Sequence, residues 1–268
     1  MLINPWLFPK GKTAALTMSY DDGGINDKRL VEIFNKYGIK GTFHIDSRAI
    51  ESRREFWQNG AEKLYRGHEI SVHTKSHPHL LNLNDSELMY EVLENKKELE
   101  DICGYTVRGM SYPYGDFDKR ITTVAGSCGM KYARTVCSTN STVLPQNFLE
   151  WHPSCHHNGD IFGLLDSITK SENFTVHTKI PKCLYVWGHS YEFKTDGDWS
   201  RIEEFCRRAS QFDNIWFATN IEIYDYTMAS RNLEISANRR SIFNPSKLSV
   251  WVEIDGKAVE IKPGENKL

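Results

Sequence analysis

The chain has 268 residues, a length that is ordinary for a single α/β barrel and does not require a second domain. Hydrophobic residues make up 40% and charged residues 25% of the sequence, which excludes a chain that is disordered by composition. The formal net charge is −2 and no strongly basic or acidic block occurs, so there is no electrostatic case for nucleic-acid binding.

Short apolar strands alternate with helical patterns along most of the chain. The predicted strands are 13–20, 41–45, 68–73, 106–112, 131–135, 183–188 and 214–219. The predicted helices are 26–38, 56–66, 85–103, 117–128, 199–210 and 220–229, all with approximate ends. Repeated β-α units with apolar strands predict a parallel sheet covered by helices, and about seven units favour a distorted (β/α) barrel with seven or eight strands.

The sequence after about Ser230 has a different pattern, because apolar and polar residues alternate there. Asp255-Gly256 is typical of the turn in a tight β-hairpin. We therefore expect a barrel over residues 1–230 and a small C-terminal β extension, 231–268, packed on it.

The N-terminal residues lack the basic segment and apolar run of a secretory signal, and no apolar stretch approaches the ~20 residues of a membrane span. We therefore expect a cytoplasmic protein that does not associate with a membrane. Its oligomeric state is left open.

Ionisable residues follow three of the predicted strands, at the end where parallel α/β folds carry their chemistry. Asp21 and Asp22 follow the first strand, His73 and His77 the third, and His189 a late strand. Each has an ordinary structural explanation, as a turn, a common histidine spacing or a polar strand end. Their joint occurrence at strand ends favours a functional site.

Two histidines four residues apart and one aspartate form the three-ligand set of catalytic zinc, which keeps an open position for water. We predict that Asp22, His73 and His77 bind a divalent ion, most favourably Zn²⁺, with Co²⁺ or Ni²⁺ also suited to these ligands. The second aspartate is then available as a base, and a histidine as the general acid. Such a site hydrolyses an amide or an ester.

Four motifs resemble those of the polysaccharide deacetylase (NodB-homology) family, in the family's order. They are SYDDG (19–23), HTKSH (73–77), SYPYG (111–115) and VWGHS (186–190). The resemblance implies a metal-dependent hydrolase that removes N- or O-linked acetyl groups from a carbohydrate. It also implies Asp21 as base, His189 as acid, and Pro113 and Tyr114 beside the substrate.

The sequence departs from the family pattern at the arginine that pairs with the base aspartate. The family places an arginine two residues before the motif proline, and Ser111 stands there instead. Arg108 is the candidate to orient Asp21; the alternative is that Arg108 faces solvent. The family also often has Asp after the catalytic histidine, where this chain has Ser190, with Glu192 two residues further on.

The stretch LEWHPSCHH (149–157) has two interpretations. It is either a second metal site, with ligands among His152, Cys155, His156 and His157, or a loop beside the groove on which Trp151 packs against a sugar. The second interpretation makes Trp151 a substrate-binding residue.

Three functions remain open from the sequence. The first is deacetylation of an acetylated carbohydrate, and the second is hydrolysis of a small non-glycan amide such as a ureide or a cyclic imide. The third is a non-catalytic sugar-binding relative, which the replacement of the family arginine by Ser111 suggests.

Overall fold

The computed structural model of the protein describes residues 2–58, 60–169 and 180–268. The strands are β1 (Ile3–Leu7), β2 (Ala14–Asp21), β3 (Gly41–Ile45), β4 (Glu69–Val72), β5 (Gly109–Ser111), β6 (Tyr132–Arg134), β7 (Cys155–His156), β8 (Lys182–His189), β9 (Ile215–Phe217), β10 (Glu234–Ile235), β11 (Ser241–Asn244), β12 (Val250–Ile254), β13 (Lys257–Ile261) and β14 (Gly264–Lys267).

The α-helices of the described residues are α1 (Asp27–Lys36), α2 (Ser47–Ser52), α3 (Arg54–Gln58), α4 (Ala61–Leu64), α5 (Asp85–Cys103), α6 (Lys119–Ser127), α7 (Ile161–Thr169), α8 (Asp196–Ala209) and α9 (Asn220–Arg231). None of them is long and apolar enough to cross a membrane.

The central sheet contains eight strands in the order β6-β5-β4-β3-β2-β8-β7, with β9 also paired to β2. Neighbouring strands run parallel throughout. All eight residues of β2 are buried, which is why this strand has the continuous apolar pattern of a sheet covered on both faces.

The segment 151–156 closes the sheet into a distorted barrel. The Trp151 N–H donates to the Ala133 carbonyl, and the Thr135 N–H donates to the Trp151 carbonyl, which joins the segment to the β6 side. Cys155 and His156 then pair with β8 at the opposite end of the strand order. The structure thereby confirms the barrel fold expected from the sequence.

The long helix α5 begins and ends at residues that explain its bounds. Asn84 and Glu87 form a capping box at its start, and Gly104 ends it with a left-handed φ of 73°. Leu88 and Leu99 are buried on the face toward the sheet.

The prediction of one helix near 56–66 is wrong, because the chain forms three short helices between Ser47 and Leu64. The Asp46 side chain accepts the Ala49 N–H and starts the first of these helices much earlier than expected. Gly60, with φ of 133°, separates the last two.

The predicted hairpin at Asp255-Gly256 connects β12 and β13, and both residues have the positive φ that this turn requires. The N-terminal strand β1 also pairs with β12, so this small sheet joins the start of the chain to the hairpin, while the last strand β14 pairs with β11 in a separate sheet. Tyr226 of α9 joins the two parts, since its hydroxyl donates to the Leu7 carbonyl and accepts the Trp251 N–H. The domain boundary at residue 230 stays a prediction.

Candidate active site

The sequence-predicted site residues gather at the carboxyl ends of β2, β4 and β8. Asp21 is the last residue of β2, His73 follows β4, and His189 is the last residue of β8. Four non-glycine residues here have a left-handed backbone, a conformation that concentrates at functional sites in proteins. They are Asp22, Thr74, His77 and Tyr114, with φ of 70°, 70°, 53° and 57°.

The three predicted metal ligands converge on one point. Asp22 Oδ1 lies 3.4 Å from His73 Nε2 and 3.7 Å from His77 Nε2. One ligand atom from each residue falls within 4.8 Å of the other two. Asp22 Oδ1 is buried and has no hydrogen-bond partner, which leaves this oxygen available to a cation between the two imidazoles.

The ring of His73 is held in the orientation that a metal ligand needs. Its Nδ1 lies 3.0 Å from the Ser111 carbonyl oxygen, and a carbonyl oxygen can only accept a hydrogen bond. Nδ1 therefore carries the proton, and the lone pair of Nε2 faces Asp22. The His73 backbone N–H donates to Asn95 of α5, which fixes the chain at this point.

Asp21 is 3% exposed and lies among cationic and hydrogen-bonding groups. Arg134, which is 0% exposed, donates from its guanidinium to Asp21 Oδ2, and Ser111 Oγ donates to Asp21 Oδ1 at 3.2 Å. Burial by itself would raise the pKa of Asp21. The Arg134 charge, together with His73 and His44, instead holds that pKa well below its usual value, so Asp21 is ionised.

The expectation that Arg108 orients Asp21 is wrong. Arg108 precedes β5 and makes two hydrogen bonds, of 2.9 and 2.6 Å, to Asp225 of α9. Arg134 is the register partner of Ser111 across β5 and β6, so the neighbouring strand supplies the guanidinium beside the position of Ser111. The sequence did contain a signal, because Arg134 is a charged residue at the end of a predicted strand.

His189 stands between the metal-ligand set and a second carboxylate. Its Nε2 lies 3.9 Å from Asp22 Oδ2, and its Nδ1 lies 3.3 Å from Glu192 Oε2. Burial would lower the pKa of His189, but the Glu192 carboxylate beside Nδ1 and the charges of Asp21 and Asp22 raise it overall. Glu192 also accepts the His189 backbone N–H at 2.8 Å, so one short 3-10 turn holds both residues.

Tyr114 covers the predicted metal ligands from the solvent side. Its ring is 54% exposed, stacks on His79 at 4.0 Å between centroids and meets His77 edge-on at 4.6 Å. Pro113, in contrast, is buried under the same 3-10 turn. Of this predicted pair, Tyr114 is therefore the one with a ring open to a substrate.

Trp151 does not line a groove, and the prediction that it packs on a sugar is wrong. Its side chain is 2% exposed and packs edge-on against Phe148, Tyr132 and Tyr185. The physical reason is the closure of the barrel, because the backbone of Trp151 pairs with β6 and places the indole in the core.

The remaining residues of LEWHPSCHH separate into two environments. His152 lies 2.7 Å from the Thr135 hydroxyl, and Cys155 is part of the hydrophobic core. His156 and His157 instead face Glu192, and these three offer ligand atoms within 4.8 Å of one another. Burial lowers the pKa of His157 to about 3, so its imidazole is neutral.

The model of the family described as polysaccharide deacetylase matches residues 9–133. Over these residues the chain is similar to the polysaccharide deacetylase family. The matched range includes Asp21, Asp22, His73 and His77, and it ends just before Arg134.

Curated relatives match about half of the chain. Chitin deacetylase 1 of Cryptococcus neoformans var. grubii is 32% identical over 139 residues, which are 51% of this chain and 29% of that protein. The peptidoglycan-N-acetylglucosamine deacetylase PgdA of Listeria monocytogenes is 24% identical over 121 residues, 44% of this chain and 25% of that protein. The chain thus spans less than a third of the length of these relatives.

Solved structures of low sequence identity share the fold. A provisionally assigned polysaccharide deacetylase from Mycobacterium smegmatis has a TM-score of 0.65 at 16% identity, covering 86% of this chain and 96% of that one. A family 4 carbohydrate esterase from Streptomyces lividans has a TM-score of 0.52 at 12% identity, covering 76% and 91%. A pseudoenzyme of the same esterase family from Bacillus anthracis has a TM-score of 0.53 at 17% identity, covering 81% of this chain and 66% of that one.

Proposed function

We propose that the protein is a metal-dependent hydrolase that removes N- or O-linked acetyl groups from a carbohydrate. The observation that carries the proposal is the convergence of Asp22, His73 and His77 within 4.8 Å, beside a buried ionised Asp21 and a histidine paired with Glu192. The match of residues 9–133 to the polysaccharide deacetylase family supports the same chemistry.

The ligand set suits Zn²⁺, because two imidazoles and one carboxylate leave an open coordination position. A cation held between Asp22 Oδ1 and His73 Nε2 would explain why this buried oxygen has no hydrogen-bond partner and why the Nε2 lone pair faces it. When bound there, a divalent ion polarises the acetyl carbonyl and makes water a stronger acid. Co²⁺ and Ni²⁺ are compatible with the same donors.

Two side chains of this chain would move the protons. Asp21 accepts the proton of the attacking water, and Arg134 with Ser111 keeps its carboxylate ionised and fixed in position. His189 donates a proton to the departing amine or alkoxide, and Glu192 keeps the imidazole charged and oriented. The neighbouring charges therefore favour an ionised Asp21, which can accept a proton, and a protonated His189, which can donate one.

A carbohydrate is the favoured substrate because the exposed ring of Tyr114 lies over the ligand set, as expected of a surface on which a sugar packs. Two relatives named as a chitin deacetylase and a peptidoglycan deacetylase support this class. The non-catalytic alternative rested on the absence of an arginine at position 111. Arg134 bonds to Asp21 from the neighbouring strand, which weakens that argument.

The test combines metal analysis with an acetate-release screen. Acetylated chitin oligomers and peptidoglycan fragments are compared with cyclic imides and ureides. We expect acetate release from an oligosaccharide. Asp22→Ala and His77→Ala should lose activity together with the metal bound at this ligand set, and Asp21→Asn should keep that metal without turnover. His152→Ala is the matched control, because this histidine lies outside the ligand set.

A purified protein that binds no divalent ion at micromolar levels would refute the proposal. Turnover of cyclic imides without turnover of acetylated sugars would replace the carbohydrate by a small amide. Retained metal and sugar binding with no turnover of any substrate would identify a non-catalytic relative.

A further inference from the structure

We propose that His156, His157 and Glu192 form a second binding site for a divalent transition-metal ion, separate from the Asp22 ligand set. The cluster has the same donor chemistry as that set, two imidazoles and one carboxylate. Its three ligand atoms lie within 4.8 Å of one another. Nothing in the proposed reaction requires an ion at this place.

The first argument is that more histidine nitrogen atoms surround Glu192 Oε2 than this one oxygen can accept hydrogen bonds from. Glu192 Oε2 lies 3.0 Å from His156 Nε2, 3.3 Å from His189 Nδ1 and 2.8 Å from the His189 backbone N–H. The His157 Nε2 atom is 3.6 Å from the same oxygen, beyond hydrogen-bond range. One carboxylate oxygen cannot accept from all four nitrogens with good geometry.

The second argument is the state of His157. This side chain is 1% exposed, and neither of its ring nitrogens has a hydrogen-bond partner. Leaving a buried polar group without a partner is unfavourable, so its presence calls for a ligand. An ion coordinated by Nε2 would provide that partner, and the nearby Glu192 carboxylate would balance its charge.

The third argument is that the ring of His157 is fixed before any ion binds. It stacks between Tyr20 and Phe193, at centroid distances of 5.7 and 4.5 Å. Its Nδ1 edge lies against Gly188, where an added Cβ would stand 2.0 Å from that nitrogen. Glycine in β8 therefore permits the close packing that directs the ring toward Glu192.

His189 links the two sites, because its ring lies between Asp22 and Glu192. An ion at the second site would compete with His189 for Glu192 Oε2. An excess of zinc should therefore weaken the hold of Glu192 on His189 and inhibit turnover.

The experiment counts metal ions in the full-length protein and does not depend on activity. Apoprotein prepared with a chelator is titrated with Co²⁺ and with Zn²⁺, followed by visible absorption and calorimetry, and the metal content is measured after dialysis. We expect two equivalents for the wild type, one for His156→Ala and one for Glu192→Gln. His156 is half-buried and also contacts His157, but the two rings that sandwich His157, Tyr20 and Phe193, are unchanged in this variant.

Two control variants separate this proposal from the proposed function. His152→Ala should still bind two equivalents, and Asp22→Ala should bind one, at the second site only. A single equivalent in the wild type that disappears in Asp22→Ala would overturn the second site and leave the proposed function standing. A single equivalent that disappears in His156→Ala but survives Asp22→Ala would support the second site and remove the ligand set of the proposed function. Two equivalents bound by both His156→Ala and Glu192→Gln would also overturn the second site.

Discussion

Replacement of Arg134 by methionine tests the arrangement around the predicted base. The guanidinium of Arg134 bonds to Asp21, donates to the Thr135 carbonyl at 3.1 Å and lies 4.5 Å above the Trp187 ring. Both charges of the pair are buried. Methionine fills much of the same volume but leaves the Asp21 carboxylate without its cation, which costs about 3–5 kcal/mol.

The same change alters the pH dependence of turnover. Burial raises the pKa of Asp21, and Arg134 is the largest of the opposing influences. Without it the pKa of Asp21 rises, and the acid limb of the rate profile should move to higher pH, since the base must be ionised. The stabilisation by the wild-type pair is present above the unfolded pKa of about 3.9 and is lost as pH falls through the lower folded pKa.

The assay is urea unfolding at pH 7 and at acid pH, with Arg108→Met as the matched control. The Arg108–Asp225 pair is about one-third exposed on both sides, so its loss should cost about 0–1 kcal/mol. In the cycle Asp21→Asn with Arg134→Met, the double variant should be less damaged than the two single losses together. Equal destabilisation by the two arginine variants, or simple additivity in the cycle, would refute this account.

Three further outcomes are expected. With one equivalent of zinc, Glu192→Gln should lower turnover roughly 10- to 100-fold, because it removes the carboxylate charge beside His189 Nδ1. It should also lower the pKa of His189, moving the basic limb to lower pH; an unmoved limb contradicts this role. Burial raises the pKa of Glu69 from 4.5 to about 7. The folded protein therefore binds this proton more tightly than the unfolded chain, and the free energy of unfolding should fall by about 3 kcal/mol as the pH rises through that range. Glu69→Gln should remove this slope in pH-dependent urea unfolding. Trp151→Ala should destabilise the fold by about 3–5 kcal/mol without raising KM, and a raised KM in a stable variant would restore its predicted contact with substrate.

The sequence by itself determined the elements whose signals are local. The apolar run of β2, the capping residues of α5 and the hairpin turn at Asp255-Gly256 each depend on residues close together in the chain. The candidate metal ligands could also be predicted from the sequence, because Asp22 and His73 each follow a strand and the carboxyl ends of parallel strands lie at one edge of the sheet. Their roles as ligands stay a prediction.

Only the tertiary structure decided which partners these residues meet. Arg134 reaches Asp21 because β6 lies beside β5 in a register that pairs it with Ser111, and Arg108 is drawn to Asp225 of a distant helix. The indole of Trp151 is buried because its backbone closes the barrel. Such contacts depend on strand order and register, which residues far apart in the chain fix together, so no local pattern specifies them.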